Sequence, residues 1–370
     1  MAQAASASTQ AAGRVIFSVF AGRRRFLSVL MVYVQPLLQS ALIHEVRPRC
    51  VSVSASDACV TQRTHVLALL LAFQVHVWDY CRVDADREYL KTLTAPGVKV
   101  ITPPASDRTA KFPHKWKGYY AHYASALQDS DWLIKCDDDI VFLSNLGALL
   151  RYAKEDGGRH HLYYPSIVNN DVAASFQAAD GVIDQPEFVV RLQASKADGK
   201  HSMSPVSDWY NCTACADFIL HRFLEAPERF FTGCLHEWSV PARVPINFFL
   251  MPGSAVRTHF SKYLEEAFVD EAYLTALLTQ RTGMSSAMVT DAVAVHFSFA
   301  FQHVPKPAEL LAKFRVLARN KQLHAQLARD YGERLPNRSC RNAAPPALLR
   351  QARNRPHRGE GKRGKLDSES

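Results

Sequence analysis

Three consecutive aspartates, Asp137, Asp138 and Asp139, are the residues of this sequence whose type and spacing best suit metal chemistry. Apolar runs flank them on both sides, in WLIKC and IVFL, which predicts that a buried strand carries them. Unit charges a few ångströms apart repel by several kcal/mol at an effective dielectric constant of roughly 20, so a bound cation would relieve the crowding.

The spacing of the aspartates predicts which of them bind the same metal ion. Asp137 and Asp139 have one residue between them, so in an extended chain both side chains lie on the same side. There they would reach one hard cation, Mn²⁺ or Mg²⁺, that also binds phosphate oxygens. Asp138 would face a ribose or a backbone donor instead. The alternative is an acidic cap at the end of a strand, without a metal.

The elements that must position these aspartates alternate between strands and helices. The first half of the chain predicts strands at 15–20, 75–80, 98–101 and 132–136, and helices at 26–43, 84–93 and 117–128. Alternation of this kind is typical of a parallel sheet with right-handed crossovers, in which ligands bind at the carboxyl ends of the strands. The second half predicts strands at 162–165 and 292–296 and helices at 217–224, 270–280 and 307–319.

The run DWLIKCDDDIVFL resembles the DxD segment of glycosyltransferases with the GT-A fold, the A-type fold of nucleotide-diphospho-sugar transferases. RVIFSVFAGRRRFLSVL and VHVWDYCRVDADREYLKTL are similar to the first two strand–helix units of poorly characterised members of that superfamily. The resemblance covers residues 13–46 and 75–320. It implies an α/β, Rossmann-like fold with a mostly parallel central sheet flanked by helices and a more irregular acceptor half.

The resemblance also implies an activity, which is metal-dependent transfer of a sugar from a UDP- or GDP-sugar donor to a hydroxyl group. The acceptor would be a glycan, a lipid or a protein. The family's metal ligands correspond to Asp137 and Asp139, with the last aspartate as the main ligand. A histidine late in the domain often completes such a site, and His296 in VAVHFSF matches it. The alternative for His296 is a core histidine bonded to the backbone.

An acidic pair, Asp270 and Glu271, opens a predicted helix in FVDEAYLTALL. Inverting enzymes of the fold place such a pair beneath the acceptor, where a carboxylate takes the proton of the attacking hydroxyl. We expect Glu271, the second of the pair, to be the base ahead of Asp270. The alternative is that both acids complement the helix dipole, and a retaining mechanism would remove the need for the base.

Donor binding is expected at the ends of the first two strands. Ala21, Gly22 and Arg23 follow the first strand, where glycine allows the backbone to approach a base or ribose closely. Asp79 ends the second strand and could accept a hydrogen bond from the base or ribose. Trp238 is a candidate stacking surface for an acceptor sugar, with a buried core position as the alternative.

Two rival functions use the same features. One is a metal-dependent phosphohydrolase or nucleotidyltransferase, which would need further acidic ligands for a second cation. The other is a non-catalytic sugar-nucleotide-binding protein.

A single CxxC, Cys212 and Cys215, lacks the partners of a zinc site at the usual spacing.

The length allows one large α/β domain or two medium ones, and the resemblance implies a single domain, which we place at residues 13–325. A segment at 47–74 interrupts the strand–helix rhythm and is interpreted as an insertion. Residues 326–370 form a tail whose basic stretch, RQARNRPHRGEGKRGK, contributes much of the net charge of +9. Such a tail is typical of solvated disorder, and we expect no specific nucleic-acid partner.

The apolar run Phe26–Ile43 follows three arginines and has two interpretations. As a signal anchor it would place the chain in the ER or Golgi membrane. As the crossover helix after a buried strand it would leave a cytoplasmic protein. The polar residues inside the run favour the crossover helix and with it a cytoplasmic location.

Overall fold

The computed structural model describes residues 13–39, 73–110, 116–184, 209–239, 241, 243–266, 269–299 and 302–332. The strands are β1 (Val15–Ala21), β2 (Phe73–Asp79), β3 (Val98–Ile101), β4 (Trp132–Asp137), β5 (Ile140–Ser144), β6 (His160–Val168), β7 (Leu235–Trp238), β8 (Phe248–Pro252) and β9 (Ser285–His296).

Helices cover the sheet and connect its strands. They are α1 (Arg24–Gln39), α2 (Asp84–Leu90), α3 (Ala105–Thr109), α4 (Lys117–Ala126), α5 (Leu146–Glu155), α6 (Asp171–Ala179), α7 (Thr213–Glu225), α8 (Gly253–Glu265), α9 (Asp270–Ala272), α10 (Leu278–Thr282), α11 (Pro307–Ala318) and α12 (Lys321–Tyr331). A π-helical turn, Tyr273–Leu277, joins α9 to α10, and Pro227–Phe230 forms a 3₁₀ turn.

The sheet has the order β3-β2-β1-β4-β8-β6-β9-β5, with β7 also paired to β9. Its first four strands are parallel, as the alternating pattern predicts. The expectation of a mostly parallel sheet is wrong for the other half, where β8, β5 and β7 each run antiparallel to their neighbours. The fold is therefore α/β with a mixed sheet. The reversal at β5 has a simple cause, because only two residues separate it from β4 and no crossover helix fits between them.

The directions of the strands bring the carboxyl ends of β1, β2, β4, β6 and β9 to one edge of the sheet. β1, β2 and β4 are parallel. β8 is antiparallel to both β4 and β6, so β6 runs in the same direction as β4, and β9 is parallel to β6. The residues that follow β1, β2, β4, β6 and β9 therefore lie along a common edge, which we call the carboxyl edge. β8 begins at the same edge.

Helix α1 is the crossover between β1 and β2. Its Leu27, Leu30 and Val34 are at most 1% exposed and pack into the main core. This burial confirms the interpretation of the run as a helix of the fold, although residues 40–43 lie outside the described residues. Across the described part of the chain, no helix has both the length and the apolar character needed to cross a membrane.

The predicted bounds of the insertion and of the domain can be compared with the structure. Most of the expected insertion, residues 47–72, lies outside the described residues, whereas Phe73 and Gln74 already belong to β2. The domain boundary predicted at 325 falls within α12, whose Leu327 is only 1% exposed. That boundary is too early, because burial of Leu327 makes α12 part of the folded body. Residues 333–370 of the predicted tail lie outside the described residues.

Candidate functional site

The three aspartates mark the reversal between β4 and β5. β4 ends at Asp137 and β5 begins at Ile140, so Asp138 and Asp139 form the turn between the strands. The expectation of an extended run through all three residues is therefore wrong. Their side chains still separate as expected, because the turn directs Asp139 towards β9 and Asp138 towards the end of β1.

Asp137, Asp139 and His296 form one group, in which the potential ligand atoms all lie within 4.8 Å of one another. Asp139 Oδ1 is 3.3 Å from His296 Nε2. The register explains the meeting, since Ile140 at the start of β5 is paired with His296 at the end of β9. We call these three residues the metal triad. The structure thus brings together all three residues predicted as ligands.

Asn247 lies beside the metal triad at the start of β8. Its Nδ2 donates to Asp137 Oδ2 at 3.1 Å and lies 3.3 Å from His296 Nε2. Because a carboxylate only accepts, the contact with Asp137 fixes the orientation of the amide, and Asn247 Oδ1 is left buried without a hydrogen-bond partner. The Nδ1 of His296 is also buried without one.

The donor set of the triad suits a divalent cation that accepts oxygen and imidazole ligands, as Mn²⁺ does and Mg²⁺ does to a lesser degree. Asp139 is 4% exposed and His296 2%, whereas the side chain of Asp137 is 29% exposed and would be open to a second ligand. Two nearby cations offset the negative charge here. Arg23 pairs with Asp139 at 2.7 Å, and Lys135 pairs with Asp137 at 2.6 Å.

The pKa values of Asp138 and Asp139 are shifted in opposite directions by their surroundings. Burial and the charge of Asp139 raise the pKa of Asp138 to about 6, against the effect of Arg23. Burial alone would also raise the pKa of Asp139, but His296 and Arg23 hold it well below its ordinary value. Asp139 is therefore the member of the pair that keeps its charge down to the lower pH, which suits a metal ligand.

Asp138 binds the loop after β1. Its Oδ2 accepts from the Gly22 backbone N–H at 2.8 Å, and its Oδ1 pairs with Arg23 at 2.7 Å. A Cβ at Gly22 would lie 3.1 Å from Asp138 Oδ2, so glycine makes this close approach possible. The expectation that Asp138 faces a backbone donor is confirmed. Its contacts place Gly22 and Arg23 next to the metal triad.

Asp79 ends β2 level with Ala21, its partner in register. It is 6% exposed and accepts from the Cys81 backbone N–H and from Arg87, both at 3.2 Å. Burial would raise the pKa of Asp79, but these hydrogen bonds and the charge of Arg87 lower it below its ordinary value. Asp79 is thus an ionised acceptor at the carboxyl edge, two strands from the aspartate turn.

The two acids of the pair, Asp270 and Glu271, have different hydrogen-bond partners. Asp270 Oδ2 accepts from the Tyr120 hydroxyl at 2.7 Å, and Asp270 Oδ1 accepts from the Glu271 backbone N–H at 2.8 Å. Glu271 accepts from the Tyr210 hydroxyl at 2.9 Å and forms an ion pair with Arg243. The side chain of Glu271 is 14% exposed. Both oxygens of Asp270 are engaged in anchoring the helix, so Glu271 is the better placed to meet a ligand.

Two routes connect Glu271 with the metal triad. The ring of His296 lies 4.4 Å from that of Phe299, and Phe299 lies 4.3 Å from Tyr210, whose hydroxyl reaches Glu271. The segment 243–247 also runs from Arg243, at Glu271, to Asn247, at the triad. Four residue steps span at most about 14 Å, so the triad and Glu271 border the same region.

Trp238 is placed in the core rather than on an acceptor surface. It is 5% exposed at the end of β7, and its ring lies 5.5 Å from Tyr164 and 5.7 Å from Phe176. A ring that is almost fully buried and packed against two other aromatic rings is not open to a sugar. The structure therefore agrees with the buried alternative, and the prediction of a stacking surface is wrong for this arrangement.

Sequence reasoning missed several residues that border the site: Lys135, Asp171, Tyr210, Arg243 and Asn247. Strand alternation was a usable signal for Lys135, which lies two residues before Asp137 and on the same face of β4. Asp171 follows β6, Arg243 and Asn247 precede β8, and Tyr210 precedes α7, all in segments without a strong periodic pattern. Only the tertiary fold brings them together.

Other candidate metal ligands in the described part of the chain are less suitable. Asp180, Cys234 and His236 form a second compact group, but Cys234 is disulfide-bonded and cannot act as a thiolate. Cys212 and Cys215 form a disulfide at the start of α7, which excludes a zinc site at this CxxC. Among the described residues the metal triad is therefore the group with three available ligands.

Comparison of the chain with models of known protein families and with curated protein sequences finds no match.

Proposed function

We propose that this chain is a metal-dependent glycosyltransferase of the GT-A type, which transfers a sugar from a nucleotide-diphosphate donor to an acceptor hydroxyl. The observation that carries the proposal is the metal triad, in which Asp137, Asp139 and His296 meet at the carboxyl edge of the sheet. Two of these residues are far from the third in sequence, and their convergence was expected from the DxD resemblance.

Each part of the site has a role in the proposed reaction. The triad would hold Mn²⁺ or Mg²⁺, which supplies charge neutralisation for the leaving nucleoside diphosphate. Arg23 lies at Asp138 and Asp139 and would stabilise the same developing charge. Glu271 would accept the proton of the acceptor hydroxyl if the anomeric configuration is inverted. Burial raises the pKa of Glu271, which moves it towards the range suited to a base at neutral pH.

The donor side is supported by the ends of β1 and β2. Ala21 and Asp79 lie in register on adjacent parallel strands. Gly22 follows Ala21 and contacts the aspartate turn. A nucleoside lying across these strand ends would present its diphosphate to the triad. The UDP- or GDP-sugar and a glycan, lipid or protein acceptor are the partners that follow from this assignment.

A screen of donor hydrolysis tests the proposal. The purified chain is incubated with a panel of UDP- and GDP-sugars and Mn²⁺, with and without EDTA, and release of the nucleoside diphosphate is measured. We expect release from at least one donor, abolished by EDTA and restored by added Mn²⁺. Turnover that is insensitive to EDTA, or none with any donor, would contradict the proposal.

The same screen separates the two rival functions. A phosphohydrolase would release inorganic phosphate or a nucleoside monophosphate rather than the intact diphosphate. A non-catalytic binding protein would bind UDP with Mn²⁺ but give no turnover, and Asp139→Asn would leave its interaction with a protein partner intact.

A further inference from the structure

A second polar element lies at the carboxyl edge, immediately after β6. Val168 at the end of β6 is paired with Val295, one residue before His296, so residues 169–171 lie level with the triad. Asn169 has φ of 64°, a left-handed conformation that asparagine adopts more readily than most residues. This turn directs Asn170 and Asp171 into the start of α6.

The turn is held rigidly from both sides. Asn169 Oδ1 accepts from Trp209 Nε1 at 3.1 Å, and its Nδ2 donates to the Phe297 carbonyl oxygen at 3.3 Å. Gln302 also hydrogen-bonds to Asn169 at 3.0 Å. Side chains fixed by such a network hold their neighbours in place before a ligand arrives.

Asn170 and Asp171 carry one unused donor and one unused acceptor. Asn170 Oδ1 caps α6 by accepting from the Ala173 backbone N–H at 3.1 Å, which fixes the amide and leaves its Nδ2 without a partner. Asp171 Oδ1 also has no partner. The two residues are only 1% and 4% exposed. Buried polar atoms without partners are expensive and rare in native proteins, so adjacent ones need an explanation.

The surroundings of Asp171 include the proposed base and its ion-pair partner. Burial, with a further contribution from the charge of Glu271, raises the pKa of Asp171 to about 7, while a hydrogen bond from the Val172 backbone N–H and the charge of Arg243 act in the opposite direction. Arg243 in turn begins the segment that ends at Asn247, beside Asp137. Asp171 therefore has the proposed base near it, and the register of β6 with β9 places the same turn level with His296 of the triad.

We infer, on the basis of the proposed function, that Asn170 and Asp171 bind neighbouring hydroxyl groups of the transferred sugar ring and thereby select the donor sugar. A ring hydroxyl both donates and accepts, so one hydroxyl takes the hydrogen bond of Asn170 Nδ2 and a second donates to Asp171 Oδ1. A sugar lacking either hydroxyl leaves a buried polar atom unpaired, which sites of this kind reject strongly.

The test compares the best donor with analogues that each lack one ring hydroxyl. Wild type is expected to show kcat/KM reduced by roughly 10-fold or more for at least one deoxy analogue. Asp171→Asn and Asn170→Ser should reduce this discrimination to roughly 3-fold or less. Asn170→Ser keeps a capping oxygen for α6 and removes only the amide donor. Affinity for UDP with Mn²⁺ should stay at the wild-type value in both variants.

Asp180→Asn is the matched control, because it removes a carboxylate from the far end of the same helix. It should keep the discrimination of wild type, and unfolding curves check that each variant is folded. If both site variants discriminated against the deoxy analogues as strongly as wild type, this inference would be overturned but the proposed function would stand. The same holds if wild type turned over every deoxy analogue at an equal rate. Absence of turnover and of UDP–Mn²⁺ binding in wild type would instead overturn the proposed function.

Discussion

Replacement of the two members of the acidic pair should separate stability from catalysis. Asp270 accepts two hydrogen bonds, from the Tyr120 hydroxyl and from the Glu271 backbone N–H. A hydrogen bond to a charged group contributes about 1.5–3 kcal/mol, so Asp270→Ala should lower the free energy of unfolding by about 3 kcal/mol or more. At about 2–4 °C per kcal/mol for a chain of this size, Tm should fall by roughly 6–12 °C.

Glu271→Gln should have the opposite profile. It keeps the shape of the side chain and the contact with Tyr210 and loses only the charge of the ion pair with the half-exposed Arg243, so Tm should fall less than in Asp270→Ala. In contrast, kcat for transfer should fall by about 10²–10⁴-fold if Glu271 is the base. Tyr120→Phe is the control for Asp270, because it removes one of the two hydrogen bonds and should cost part of the stability with kcat unchanged.

Thermal unfolding followed by circular dichroism gives Tm, and transfer assays at saturating donor give kcat. An Asp270→Ala variant with the Tm of wild type and no turnover would refute this division of roles. So would a Glu271→Gln variant with the kcat of wild type.

Two further predictions concern groups around Glu271. Tyr210→Phe removes the hydroxyl that donates to Glu271, so kcat should fall by about 2- to 10-fold, corresponding to about 0.5–1.5 kcal/mol, and an unchanged kcat would show that Tyr210 does not position the carboxylate. Asp171 has a pKa of about 7 in the folded chain and about 3.9 when unfolded, so its ionisation lowers stability as pH rises between these values. Asp171→Asn should therefore match wild type in chemical unfolding near pH 4, exceed its stability increasingly up to about pH 7, and keep a constant advantage above that. A stability difference independent of pH would contradict the buried environment of Asp171.

The sequence predicted the half of the fold in which local pattern and tertiary structure agree. Strands β1 to β4 alternate with helices, and each was predicted within a few residues. Their parallel order follows from that alternation, because each crossover helix must return the chain to the same side. The metal triad was predicted on a different basis, because the resemblance implied that the DxD at the end of β4 and a histidine late in the domain form one site.

The second half was harder because its sheet is mixed. β5 pairs with β9 across more than a hundred residues of sequence, and no local signal specifies that partner. The role of Asn247 depends on β8 entering the sheet between β4 and β6, which a single sequence does not reveal. Trp238 could be assigned from the sequence to an acceptor surface or to the core, and only its place at the end of β7 decides for the core.

Titration of the apoprotein with Mn²⁺ in the presence of UDP, followed by electron paramagnetic resonance, tests the triad most directly. We expect one bound Mn²⁺ per chain in wild type, with its affinity lowered by about 10-fold or more in Asp139→Asn and in His296→Ala, both checked for folding by circular dichroism. Mn²⁺ binding that is equally tight in wild type and in both folded variants would contradict the account.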